Sequence, residues 1–161
     1  MKKIILAVLP VFFLLAAVTA ETYACNTKGC TPGYWKQEQH EDSWRGDLEF
    51  YNSKLYVIFD CHDDMETLDI DDDMLLSDAL RAKGGGTSAL LRHAVAAYLN
   101  GSYWAGFGAN GPGKDPSAIA GWFCKALSNE INGYHPDTAP YTVEQTKNWL
   151  EKFNELQCDL D

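Results

Sequence analysis

The chain has 161 residues, with 13 basic against 23 acidic side chains, a net charge of −10 and five cysteines. That length suits one domain with a real core. The acidic balance repels phosphate backbones and anionic lipid, which argues against nucleic-acid binding; it also serves plain solubility.

Residues 1–20 read as an export leader. Lys2 and Lys3 form a basic start, Ile4 to Val18 is an almost unbroken apolar run, and Val18-Thr19-Ala20 fits the small-residue rule for cleavage. The mature chain is then expected to begin at Glu21, with 11 basic residues against 23 acidic and a net charge of −12 once Lys2 and Lys3 are gone. A cut after Ala24 would leave Cys25 first, but Thr22-Tyr23-Ala24 lacks the Leu and small residue of a lipoprotein signal. The apolar run is shorter than the about 20 residues of a membrane span, and no later segment is apolar enough to make one. The expectation is a secreted, periplasmic or cell-surface protein with no integral membrane segment after leader removal.

Residues 21–161 read as one globular domain. Residues 21–46 form an irregular anchoring segment in which Pro32-Gly33 suits a type II turn, because Pro presets φ and Gly accepts a positive one. Tyr34 and Trp35 then supply large apolar area. Leu55-Tyr56-Val57-Ile58-Phe59 is an apolar run that periodicity leaves open between strand and helix. Residues 60–73 are dense in acid and read as an exposed loop.

A helical core is expected over 74–157. A first helix runs from Met74 to Ala82 and stops at Gly84-Gly85-Gly86. Thr87 or Ser88 caps the next, apolar nearly all round and therefore central, which reaches Asn100 and stops at Asn100-Gly101. Residues 101–114 form a glycine- and aromatic-rich loop. Asp115-Pro116 opens a third helix, whose stripe includes Ile119, Phe123, Ala126 and Leu127 and which Gly133 ends. Thr142 to Gln145 is a T-x-x-Q capping box for a fourth, with Val143, Thr146, Leu150 and Phe153 at helical spacing and Cys158 just beyond. The fold class is mainly α: a compact domain of about four helices with an irregular N-terminal aromatic segment, stapled by disulfide.

Export makes disulfides plausible. Two bridges drawn from Cys25, Cys30, Cys61, Cys124 and Cys158 allow fifteen arrangements, five choices of the odd residue times three pairings, and geometry decides among them. The favoured pair is Cys30 with Cys158, which would tie the first ordered turn to the last helix. Cys61 with Cys124 is second, leaving Cys25 free or intermolecular.

Candidate chemistry is sparse. Asp69, Asp71 and Asp73 alternate like a calcium loop, but Met74 and Leu80 stand where an EF-hand has Gly and Glu. They read as a solvated loop, with a weak calcium site as the alternative; no other cofactor is implied. No paired zinc-ligand spacing, G-x-S-x-G, H-E-x-x-H or P-loop occurs. His93 beside Arg92 reads as a hydrogen-bonded structural residue, with Arg92 reaching carbonyls at a neighbouring helix end. His40-Glu41-Asp42 and Cys61-His62-Asp63 hold acid–base groups that only geometry can assemble. No residue is assigned a catalytic role. The first functional reading is a non-enzymatic structural or interaction domain whose partner is a protein, a matrix or a second copy. Tyr103, Trp104 and Phe107 form its candidate contact surface, and Pro32, Gly33, Tyr34 and Trp35 its structural anchor. The runner-up is an exported hydrolase of wall or matrix polymer, which requires two carboxyl groups, or a His and an acid, converging in one pocket.

Cys30-Thr31-Pro32-Gly33-Tyr34-Trp35-Lys36 resembles the C-T-P-G-Y/F-W-K-N-H signature of a group of secreted bacterial and archaeal proteins. Gln37 and Glu38 stand where the signature has Asn-His, and His40 is displaced. The similarity continues through Leu75-Leu76-Ser77-Asp78-Ala79-Leu80, the triple glycine, and Leu90 to Asn100, and ends with a terminal helix holding Asn154 and a closing Cys158. The resemblance implies an exported domain and the Cys30–Cys158 pairing, and no particular reaction.

Overall fold

The structure, a computed structural model, describes residues 29–44, 52–103, 115–133, 142–156 and 158. The expected leader, Cys25, and the contact residues Trp104 and Phe107 lie outside the described residues. The elements in chain order are α1 (Pro32–Trp35), a 3-10 helix (Glu38–Ser43), α2 (Leu55–Ile58), α3 (His62–Thr67), α4 (Leu76–Ala79), α5 (Thr87–Tyr103), α6 (Pro116–Asn132) and α7 (Val143–Asn154). Among the described residues there is no strand, only an isolated antiparallel bridge between Lys54 and Leu75.

Three long helices make the frame. α5 packs on both α6 and α7, and those two meet each other. Its wide apolar surface explains the position: Leu90, Leu91, Ala94, Val95, Ala96, Ala97 and Leu99 are all buried. α6 starts where its cap chemistry places it, with Asp115 Oδ1 accepting from Ser117 N at 2.9 Å and Pro116 at the first position. It ends at Gly133, whose φ of 79° favours glycine. α7 opens with the full capping box: Thr142 Oγ1 accepts from Gln145 N, and Gln145 Oε1 accepts from Thr142 N. Both expected disulfides are present. Cys30 joins Cys158 with Cα atoms 4.7 Å apart, and Cys61 joins Cys124 at 5.5 Å.

Four local expectations are corrected. Pro32-Gly33 does not form a type II turn: Pro32 takes the first position of α1, Thr31 Oγ1 caps Tyr34 N at 3.3 Å, and Gly33 has no positive φ. The fixed φ of proline serves a helix start as well as a turn, and the threonine before it tips the choice. A Cβ on Gly33 would come within 3.3 Å of that capping hydroxyl, so the glycine makes room for the cap. The run Leu55–Phe59 resolves as one helical turn with Leu55 and Phe59 buried.

The acidic stretch 60–73 is not all exposed loop. α3 lies within it, with Asp63 and Asp64 in the favourable first turn, Met65 fully buried, and Leu68 and Ile70 half-buried against the core. The charge density masked that apolar spacing. Finally, α4 covers only Leu76–Ala79 of the expected 74–82 helix, and Asn100-Gly101 is no stop: α5 continues to Tyr103 with both residues buried.

Candidate functional site

Two neighbourhoods concentrate polar chemistry. The first surrounds the N-terminal motif. Asn100 is completely buried on α5, and its side chain makes four hydrogen bonds. Its Oδ1 accepts from Cys30 N at 2.9 Å and from Trp35 Nε1 at 3.0 Å. Its Nδ2 donates to Cys30 O at 2.9 Å and to Asn154 Oδ1 at 2.8 Å. That fills the amide's capacity on both atoms. Asn154, also fully buried, donates from Nδ2 to His93 O at 2.9 Å.

The aromatics of the motif turn inward. Trp35 and Trp44 are 1% and 2% exposed, meet edge to face at 6.3 Å, and are linked by Trp44 Nε1 donating to Trp35 O. Tyr34 is half-buried and stacks on His40 at 3.8 Å. Tyr103, exposed at the end of α5, keeps its ring 6.5 Å from Trp35.

His93 sits seven residues before Asn100, two helical turns away on the same face of α5. Its Nε2 lies 3.7 Å from Glu151 Oε1. Burial pushes its pKa below the ordinary value; Glu151 pulls it back up, while Lys147 and Arg92 add to the lowering. Arg92 does not pair with it. Arg92 Nη1 donates to Ala82 O at 2.6 Å and Nη2 to Gly84 O at 3.0 Å, tying α5 to the carbonyls after α4.

The second neighbourhood is an open groove of about 330 Å³ lined by Tyr56, Phe59, Asp60, His62, Asp72 and Asp73. Backbone pairing builds it. Leu55 N donates to Met74 O, Tyr56 N to Asp72 O, and Leu76 N to Ser53 O, laying residues 72–76 alongside the start of α2. This brings His62, at the start of α3, against Asp72: Nδ1 meets Oδ2. The hydrogen bond to Asp72 raises the pKa of His62 above its ordinary value, helped by the charges of Asp72, Glu66 and Asp63. The Cys61–Cys124 bond pins the same corner to α6. An adjoining concavity holds Asp63, Asp64, Lys125 and Ser128.

The calcium candidates do separate jobs in this arrangement. Asp73 Oδ1 holds Lys54 Nζ at 2.6 Å, and that ammonium lies 5.6 Å from the Tyr56 ring centre. Asp71 Oδ1 accepts from Asp73 N at 3.1 Å, closing a local turn. Asp69 adopts a positive φ of 55°. Among the described residues no three His, Cys, Asp or Glu side chains gather as a metal-ligand set.

Sequence reasoning missed Asn100 and the His62–Asp72 pair. Asn before Gly carries the chemistry of a helix stop, and its place directly after the apolar run Ala94 to Leu99 was the signal of burial. His62 and Asp72 are ten residues apart and meet only through the backbone pairing around Tyr56. Comparison with protein-family models, with curated proteins and with solved structures returned no match in any of the three.

Proposed function

We propose that this chain is an exported structural or interaction domain, with the N-terminal motif as its anchor and its partner contacts elsewhere on the surface. The observation that carries the reading is the inward commitment of the motif. Trp35, Trp44 and the Cys30 backbone are all engaged by buried partners, centred on Asn100. Among the described residues, the large apolar side chains left exposed are Tyr56, Val57 and Tyr103. The leader-like residues 1–20, the two disulfides and the resemblance of Cys30 to Lys36 to a signature of secreted proteins support export. No described helix is long and apolar enough to cross a membrane.

The test is expression in an exporting host, followed by fractionation, N-terminal sequencing and sedimentation with and without envelope or matrix material. Cleavage after Ala20 and sedimentation with that material, weakened by Y56S/V57S or Y103S, is the expected result. An uncleaved cytoplasmic chain would overturn export. Identical sedimentation of the variants would overturn the surface assignment.

The meeting of His62 and Asp72 in one groove favours the hydrolase as a second reading. Asp72 would hold Nδ1 while Nε2 takes a proton from the attacking water. Release of fragments from wall or matrix polymer, abolished by H62A with the fold intact, would support it. Equal turnover by H62A would dismiss it.

A further inference from the structure

The mature chain carries two cysteines five residues apart, Cys25 and Cys30, and only one of them joins Cys158. Thiol chemistry alone does not distinguish them. We propose that Asn100 is the positioning residue that selects Cys30 over Cys25 as the partner of Cys158.

Asn100 grips residue 30 at two points, accepting from its N–H and donating to its C=O, both at 2.9 Å. A two-point grip on one peptide segment fixes register as well as proximity. The second Nδ2 hydrogen goes to Asn154 at the end of α7, four residues before Cys158. One side chain therefore holds the backbone of one cysteine and, through a single further bond, the helix end that leads to the other. The outcome is a Cα separation of 4.7 Å, within the disulfide range. With the Trp35 Nε1 bond, every donor and acceptor of the Asn100 amide is engaged, so the grip is specific to this register.

The covalent step is ordinary thiol–disulfide exchange with an external disulfide of the glutathione type. One cysteine thiolate attacks that disulfide, forming a mixed disulfide and releasing one small thiolate. The second cysteine thiolate attacks the protein sulfur of the mixed disulfide and releases the other. Two protein thiols are oxidised, the external disulfide is reduced to two thiols, and the two protons pass to the released thiolates. Asn100 acts on the second attack by deciding which cysteine stands beside residue 158. With each backbone hydrogen bond biasing the choice by about fivefold, the pair together gives a preference on the order of twentyfold.

The experiment reoxidises the reduced full mature chain in a reduced/oxidised glutathione buffer and maps the disulfides in non-reducing digests. The readout is the ratio of Cys30–Cys158 to Cys25–Cys158 peptides, with Cys61–Cys124 as internal reference. N100A removes the grip. N100D keeps the accepting oxygen and removes both donors. W35F removes one bond to Asn100 and leaves both bonds to Cys30. The expected result is a ratio that falls at least tenfold in both N100A and N100D, the carboxylate of the latter facing Cys30 O and Asn154 Oδ1 without a donor, and that holds in W35F, with Cys61–Cys124 formed throughout. An unchanged ratio in N100A and N100D overturns the proposal. So does an equal fall in W35F, which would assign the selection to aromatic packing. Loss of Cys61–Cys124 in both Asn100 variants overturns it as well, because Asn100 would then serve the whole fold rather than this pairing.

Discussion

The two disulfides anchor opposite kinds of polar environment. Around Cys30–Cys158, Asn100, Asn154, Trp35 and Trp44 are buried, and their polar atoms find neutral protein partners at fixed distances. Around Cys61–Cys124, His62, Asp60 and Asp63 face solvent, and His62 pairs with the carboxylate of Asp72. The first environment specifies structure, because a buried amide tolerates only one arrangement of its partners. The second leaves its groups open to ligands, protons and salt. The histidines carry the same contrast: His93 is pushed down by burial, and His62 is pushed up by Asp72.

The two bridges carry the largest expected effects. Replacing Cys30 and Cys158 together by Ser should cost about 5 kcal/mol in urea unfolding for a separation of 128 residues, against about 4 kcal/mol for Cys61 and Cys124 at 63. Equal midpoints for the two variants would deny the dry end its larger share. N100A comes next. It orphans the buried N–H and C=O of Cys30 and the indole N–H of Trp35, for a loss of about 3 kcal/mol by the same measurement. R92A releases two carbonyls in a half-exposed setting and should cost about 1–2 kcal/mol.

Thr146 is the buried polar group left unsatisfied among the described residues. It is fully buried and its hydroxyl finds no hydrogen-bond partner among the described residues, so T146V should stabilise by about 1 kcal/mol. A lower melting temperature for T146V would mean that the hydroxyl has a partner after all.

The smallest effects are those of pH, and their signs are opposite. The folded pKa of His93 lies below the ordinary 6.5, so its contribution is present above 6.5 and lost as pH falls through the folded value. That of His62 lies above 6.5, so its contribution is present below 6.5 and lost as pH rises through the raised value. H93Q should flatten the decline in melting temperature on the acid side, and H62Q the decline on the alkaline side. NMR titration of D72N should return His62 toward its ordinary midpoint.

The long helices were legible because their signals are local. Asp115-Pro116, Gly133 and the Thr142–Gln145 box act within one turn of the residues that announce them. The polar hub was not legible, since Asn100 looks like a helix end until Cys30 and Asn154 arrive from 70 and 54 residues away. The groove failed for the same reason: Lys54 meets Asp73, and His62 meets Asp72, through a backbone bridge that composition hides beneath the acidic run. Pro32-Gly33 misled differently, because turn and helix start share the same pair of residues and Thr31 decided between them.

The order of the cysteines along the chain has a consequence for covalent topology. The 61–124 ring is nested wholly inside the 30–158 ring. A single peptide-bond break between residues 61 and 124 therefore leaves two fragments tethered twice, and a break between 124 and 158 leaves them tethered once. A protease nick in either interval changes the mobility of the oxidised chain on a gel far less than that of the reduced chain. Its two halves stay one molecule for as long as the surroundings remain oxidising.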